Sequence, residues 1–160
     1  MGSVFFITLF SLIVGSFLIL LIGTQKKKDL SSQEPLYTPK QFAKLCLQLV
    51  EQMKLEVGEI SQGSERQTDI YAKNNTPFTG GRYIIHCLYL DPNGVVPSPE
   101  IIEFSNLVLQ ERASKGLFIT TGTFTSDLSA IGELAPLEFL DGARFQSLVR
   151  EHRLPASSAV

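Results

Sequence analysis

Two cysteines in 160 residues are too few for a disulfide scaffold, and no Cys-x-x-Cys pair supplies the spacing of a structural zinc site. Both thiols lie in apolar contexts, Cys46 in KLCLQLV and Cys87 in YIIHCLY, which read as reduced, buried core. Charge is scarce too. Only 19% of residues are charged while 44% are hydrophobic, which excludes a chain held open by its own polarity. A net charge of −2 and a pI near 5.7 provide no overall cationic surface for a polyanion. Internal repeats are lacking, and the length leaves no room for a two-domain cofactor enzyme, so one domain with an appendage is expected. Met1 to Ser3 carry no side-chain cation, so the basic start of a cleaved secretory signal is missing.

What the chain does have is apolar sequence concentrated at one end. Its mean hydropathy of +0.13 comes largely from VFFITLFSLIVGSFLILLIG, the 20 uncharged residues Val4 to Gly23. As a helix this run rises roughly 30 Å, the thickness of a bilayer's hydrocarbon core. Lys26, Lys27 and Lys28 follow it, and the positive-inside rule then keeps the C-terminal side in the cytoplasm. The expected organisation is a single-pass transmembrane helix over 4–23, a polar juxtamembrane linker over 25–38, a cytoplasmic domain over 39–153 and a flexible tail over 154–160.

Within the domain, Thr38-Pro39 signals a helix start, and Phe42, Leu45, Cys46, Leu49, Val50 and Met53 recur with helical period. Leu55 to Ile60 predicts a first strand, and SQGSERQ a polar turn. Thr68 to Lys73 and Arg82 to Leu90 flank a Pro/Gly/Asn-rich turn and predict a hairpin, the second run being apolar enough for burial on both faces. Ser98-Pro99 repeats the cap-plus-proline signal and opens a helix with Ile101, Phe104 and Val108 inward, ending near Lys115-Gly116. Leu117 to Thr121 predicts a strand, Ser126 to Leu134 a helix, and Leu137 to Leu140 a short strand. Asp141 is expected to cap a last helix whose inward stripe is Phe145, Leu148, Val149 and His152. This order implies an α/β domain, a mixed sheet with right-handed parallel crossovers flanked by helices.

The stretch GLFITTGTFTSDLSAIGELAPLEFLDGARFQSLV, Gly116 to Val149, resembles the C-terminal half of the catalytic domain of Mrr-type restriction endonucleases. Upstream, ERQTDIYAK and GGRYIIHCLYL fall where that family carries an acidic turn, an aspartate on the second strand, and a third strand of the type aromatic-apolar-apolar-Gln-Cys-Lys. The similarity covers about residues 39–150 and implies the PD-(D/E)XK nuclease-like fold. It also implies a divalent cation, Mg2+ in an active member, held by carboxylates that polarise a phosphodiester and activate water, with a lysine stabilising the developing charge. Asp69 matches the metal-binding aspartate, and Glu65 lies where an acidic residue often begins the preceding turn. His86 stands at the Gln/Glu position, Cys87 matches the family cysteine, and Leu88 occupies the lysine position. Ala43 follows Phe42 where the family tends to place Glu.

These matches make Asp69 and His86 the candidate catalytic residues and Asp69 the candidate metal ligand. Thr120, Thr121, Thr123 and Thr125 offer hydroxyls to a phosphate backbone, and Lys115, Arg112, Arg144 and Arg150 could line one edge, against simpler roles as caps and a solvated helix face. The expectation is a membrane-anchored nuclease-like domain with a degenerate site, DNA as a weakly bound partner, and impaired cleavage. Two alternatives stand beside it: a membrane-tethered protein-interaction scaffold with no nucleic-acid role, and an active endonuclease whose lysine is relocated to Lys73 or Lys115.

Overall fold

A computed structural model describes residues 36–77, 80–125 and 135–154. The expected span over 4–23, most of the linker, the helix expected over 126–134 and the tail beyond Leu154 lie outside the described residues. Among the described residues no helix is long and apolar enough to cross a membrane.

The first helix, α1 (Pro39–Gln52), begins with a reciprocal capping box. Thr38 accepts from the Gln41 amide, and the Gln41 side chain accepts from the Thr38 amide, so two otherwise orphaned donors are satisfied. Its apolar stripe buries Phe42, Leu45, Cys46, Leu49 and Val50. Tyr37, just before the cap, is buried as well, and its carbonyl accepts from the Tyr89 hydroxyl. Packing against the sheet therefore begins before the helix does.

Five strands follow: β1 (Glu56–Ser64), β2 (Gln67–Asn74), β3 (Gly81–Leu88), β4 (Lys115–Thr120) and β5 (Leu137–Leu140). They lie side by side in chain order. The β1–β2 and β2–β3 pairs are antiparallel, and β3–β4 and β4–β5 are parallel. The second helix, α2 (Ser98–Gln110), sits in the β3–β4 connection, and α3 (Gly142–Glu151) follows β5. The sheet thus changes from meander to parallel pairing at β3, whose residues 84–88 are all buried, as expected for a strand covered on both faces. Ile85, Cys87 and Tyr89 join the core shared with α1 and α3, while Ile84 and Leu88 join the core under α2.

Several local expectations are corrected. β1 runs on to Ser64 through residues read as a polar turn, because an exposed edge strand is held by its ladder to β2 and needs no apolar alternation. Only Glu65 and Arg66 remain as the turn between the two strands. The cap of α2 is Pro97, without a side-chain hydrogen bond, and Ser98 is already helical. That helix stops at Gln110, and Arg112 takes a left-handed φ of 50°, so Lys115 and Gly116 open β4. Asp141 does cap α3 by accepting from the Arg144 amide, but His152 is exposed at the helix end rather than part of its inward face.

Two glycines mark close approaches. A Cβ on Gly116 would fall 2.5 Å from Val108 Cγ2, so α2 rests directly on β4. A Cβ on Gly142 would fall 2.1 Å from the Thr121 carbonyl oxygen, where α3 begins against the end of β4. The Gly142 amide donates to the Gly122 carbonyl at 2.8 Å, which fastens that junction.

Candidate functional site

Alternation along β2 sends Ile70 and Ala72 into the α1/α3 core and therefore turns Asp69 and Tyr71 to the opposite face, toward α2. The antiparallel register sets Asp69 directly across from His86 on β3. Directly opposed residues share a face, so both side chains rise on the α2 side. There the Asp69 carboxylate and His86 imidazole meet, with Oδ1 2.6 Å from Nδ1. A carboxylate only accepts, so the shared proton is on Nδ1 and His86 donates it. The imidazole is buried at 6% side-chain exposure, with ring contacts to Phe118 at 4.6 Å and Phe104 at 5.4 Å between centroids.

The other ring nitrogen, Nε2, is buried and has no hydrogen-bond partner. Its nearest charged neighbour is Glu100 on α2, whose Oε1 stands 4.0 Å away. Asp69, His86, Glu100 and Glu103 line one cleft of about 600 Å3, together with Gln67, Phe104 and Leu107. Among the described residues no lysine or arginine lines it. The sequence does not single out the two α2 carboxylates; their signal is the three-residue spacing that puts Glu100 and Glu103 on neighbouring turns of one helix.

The remaining candidates lie elsewhere or are already engaged. Leu88 shares the face of His86, two residues along β3, and is buried in the apolar cluster with Ile84, Ile101 and Phe104. Glu65 is exposed in the β1–β2 turn. Cys87 faces the other core, where it interacts with Cys46; both thiols are free, and burial, then the Cys87 contact, pushes the Cys46 thiol well above its ordinary pKa. Thr121 Oγ1 accepts from the Leu90 amide and donates to the Leu90 carbonyl, and Thr120 Oγ1 accepts from the Gly122 amide. Those two hydroxyls therefore tie strand ends together. Lys115 Nζ lies 2.6 Å from Glu138, a bond that raises its pKa. Its register position is opposite Tyr83, about 10 Å down the sheet from His86. Lys73 shares the Asp69 face but stands four residues along β2, about 13 Å away.

A restriction endonuclease family model, that of the Mrr-type catalytic domain, matches residues 36–149. The chain belongs to this family. The match takes in all five strands and nearly all of α3, including the hairpin that carries Asp69 and His86. Among solved structures, the chain is similar to the MspJI restriction endonuclease in complex with a 27-mer oligonucleotide, at 16% identity and a TM-score of 0.47, covering 71% of this chain and 27% of that one. It is also similar to the DNA modification-dependent restriction endonuclease AspBHI, at 10% identity and a TM-score of 0.45, covering 82% of this chain and 39% of that one. The chain thus spans well under half the length of either. No curated protein matches it.

Members of the restriction endonuclease family generally use a divalent metal, and the donor set here can be tested against that requirement. Magnesium takes about six oxygens in a near-ideal octahedron. In this Mrr-type domain one Asp69 oxygen is committed to His86, the neighbouring donor is a nitrogen, and the lysine position is an apolar leucine. Among the described residues no three His, Cys, Asp or Glu side chains converge into a ready-made metal cage. The residues present do not fit the magnesium centre that the family implies.

Proposed function

We propose that the protein is a membrane-anchored Mrr-type restriction-endonuclease-like domain that meets DNA weakly and does not cleave it with magnesium. The observation that carries this reading is the coupling of two departures on one face: Asp69 spends an oxygen on His86, and Leu88 lies buried where the family places its lysine. Leucine offers no charge to a phosphate, and among the described residues no cation lines the cleft. The anchor rests on the uncharged run Val4 to Gly23 and the three lysines that follow it, which favour a cytoplasmic domain. A DNA partner is supported by family membership.

The test is plasmid nicking by the full chain with magnesium and, separately, manganese. No cleavage is expected from the wild type. Leu88→Lys restores one charge at the cost of a buried cation, and His86→Glu restores an oxygen donor, so the double variant should nick more than either single one. Wild-type nicking that Asp69→Ala abolishes would overturn this reading and favour a relocated lysine.

A second reading, a membrane-tethered scaffold for a protein partner, is favoured by the acidity of the cleft. Asp69, Glu100 and Glu103 repel a phosphate backbone, while Ile102 and Leu109 are about half exposed on the same helix. DNA retardation at low salt by the full chain would count against it.

A further inference from the structure

We infer that the outward face of α1 and α3 is a docking surface for an anionic lipid leaflet, holding the domain against the membrane with its acidic cleft turned to the cytoplasm. This rests on the reading above that the chain is membrane-anchored. The two helices cover one side of the sheet together. Phe42, Leu45 and Leu49 of α1 share a core with Phe145 and Val149 of α3, and the Phe42 and Phe145 rings meet at 5.1 Å. Their solvent side carries Lys40 and Lys44 on α1, Arg144 and Arg150 on α3, and Arg153 just past it, all exposed. Among the described residues none of these cations joins an ion pair, whereas Arg66, Arg82 and Lys115 elsewhere each meet a carboxylate. Little charge opposes them. Asp141 is committed to capping α3, Glu151 is the neighbour of Arg150, and Glu51 stands about 16 Å along α1 from Lys40. The other side of the sheet has the reverse sign, with Asp69, Glu100 and Glu103 on the cleft.

The cations gather where the chain enters the domain. Tyr37 packs edge-on against Phe145 at 6.1 Å, and the Arg150 guanidinium is close enough to oppose the rise that burial gives the Tyr37 pKa. The end of α3 therefore lies beside the start of α1, bringing Arg150 toward Lys40. At that point Leu36 is 65% exposed, an apolar side chain next to basic ones. Interfacial segments hold lipid by this combination, the apolar group entering the headgroup layer while Lys and Arg meet its phosphates. A nucleic-acid duplex offers phosphates too, but no apolar layer for Leu36. The geometry of the chain favours the leaflet further, because residues 24–36 reach at most about 45 Å even fully extended, which keeps this face close to the membrane that the anchor occupies.

The experiment places the full chain in nanodiscs of phosphatidylcholine, alone or with about one-third phosphatidylserine, both carrying a lipid with a nitroxide headgroup. The native cysteines are buried, so a thiol-reactive fluorophore goes to an added one. On Ser147→Cys, exposed on the outward face of α3, it should be quenched at least about threefold more in the anionic discs. On Ser98→Cys, exposed at the start of α2, it should be quenched equally little in both. Salt at about 0.5 M should remove the difference. Lys40→Glu with Arg150→Glu should abolish it and Lys40→Arg with Arg150→Lys should keep it, with far-ultraviolet circular dichroism showing both variants folded. Equal quenching in the two discs, or quenching indifferent to the charge reversal, would overturn the inference. Quenching relieved by a short DNA duplex would make this a nucleic-acid face and overturn it likewise. Extraction of the full chain from cell membranes by alkaline carbonate would overturn the anchor reading instead, and flotation of the full chain with anionic vesicles, with the same charge reversal, would then decide the docking face separately.

Discussion

Replacing Asp69 by alanine removes the only side-chain hydrogen-bond partner, among the described residues, of a histidine that is 5% exposed. The lost bond is short and charge-assisted, and such bonds contribute about 1.5–3 kcal/mol net. Asp69 keeps 17% side-chain exposure, so water recovers part of this, and a loss of about 2 kcal/mol is expected. For a domain of this size that corresponds to a melting temperature lower by about 8 °C. The assay is a thermal melt followed by far-ultraviolet circular dichroism, since the sequence has no tryptophan to report by fluorescence. A double-mutant cycle sharpens it. His86→Leu alone leaves the carboxylate without its donor, whereas Asp69→Ala with His86→Leu removes both polar groups and places leucine among Phe104 and Phe118. The double variant should therefore be more stable than the two single losses predict by about 1–2 kcal/mol. Strict additivity, or an Asp69→Ala melt within about 1 °C of wild type, would refute the claim that this bond holds the imidazole.

Three other outcomes are expected. In intact cells a probe cysteine placed in residues 29–37 should resist an impermeant reagent, and labelling would reverse the proposed orientation. Binding of DNA by the full chain should be weak with a shallow salt dependence; tight binding that survives about 200 mM salt would contradict an anionic cleft. With both cysteines buried and the Cys46 thiol pushed up by burial, the native protein should show no thiol reactive toward a disulfide reagent at pH 8, and two after denaturation.

Much of the fold was legible because its signals are local. Thr38, Pro39 and Gln41 specify the start of α1 among themselves, Asp141 caps α3 through a residue three positions on, and the apolar run of β3 announces burial on both faces. The misreadings concern partners distant in sequence. Ser61 to Ser64 look like a turn because nothing in them reveals that β2 completes their hydrogen bonds. The sequence carries the end of α2 too far because the left-handed residue after it is Arg112, where no glycine announces the stop. At the site, Asp69 and His86 could be named from the sequence, but their bond depends on a register that only the folded hairpin sets. Glu100 and Glu103 stayed hidden, since helical spacing gives their common face without telling which strand it overlooks.

The close approach at Gly142 bears on what the C-terminal segment can diagnose. Asp141 is held there to cap a helix and Gly142 because any side chain would strike the Thr121 carbonyl, so the Asp-Gly pair is a mechanical latch between a strand end and a helix start. Nothing in that latch touches the cleft, and neither member lines it. Substitutions at residues 86 and 88 therefore leave the latch at 141 and 142 untouched. Resemblance through this segment reports shared architecture and is blind to the chemistry of the cleft, where Asp69 and His86 stand.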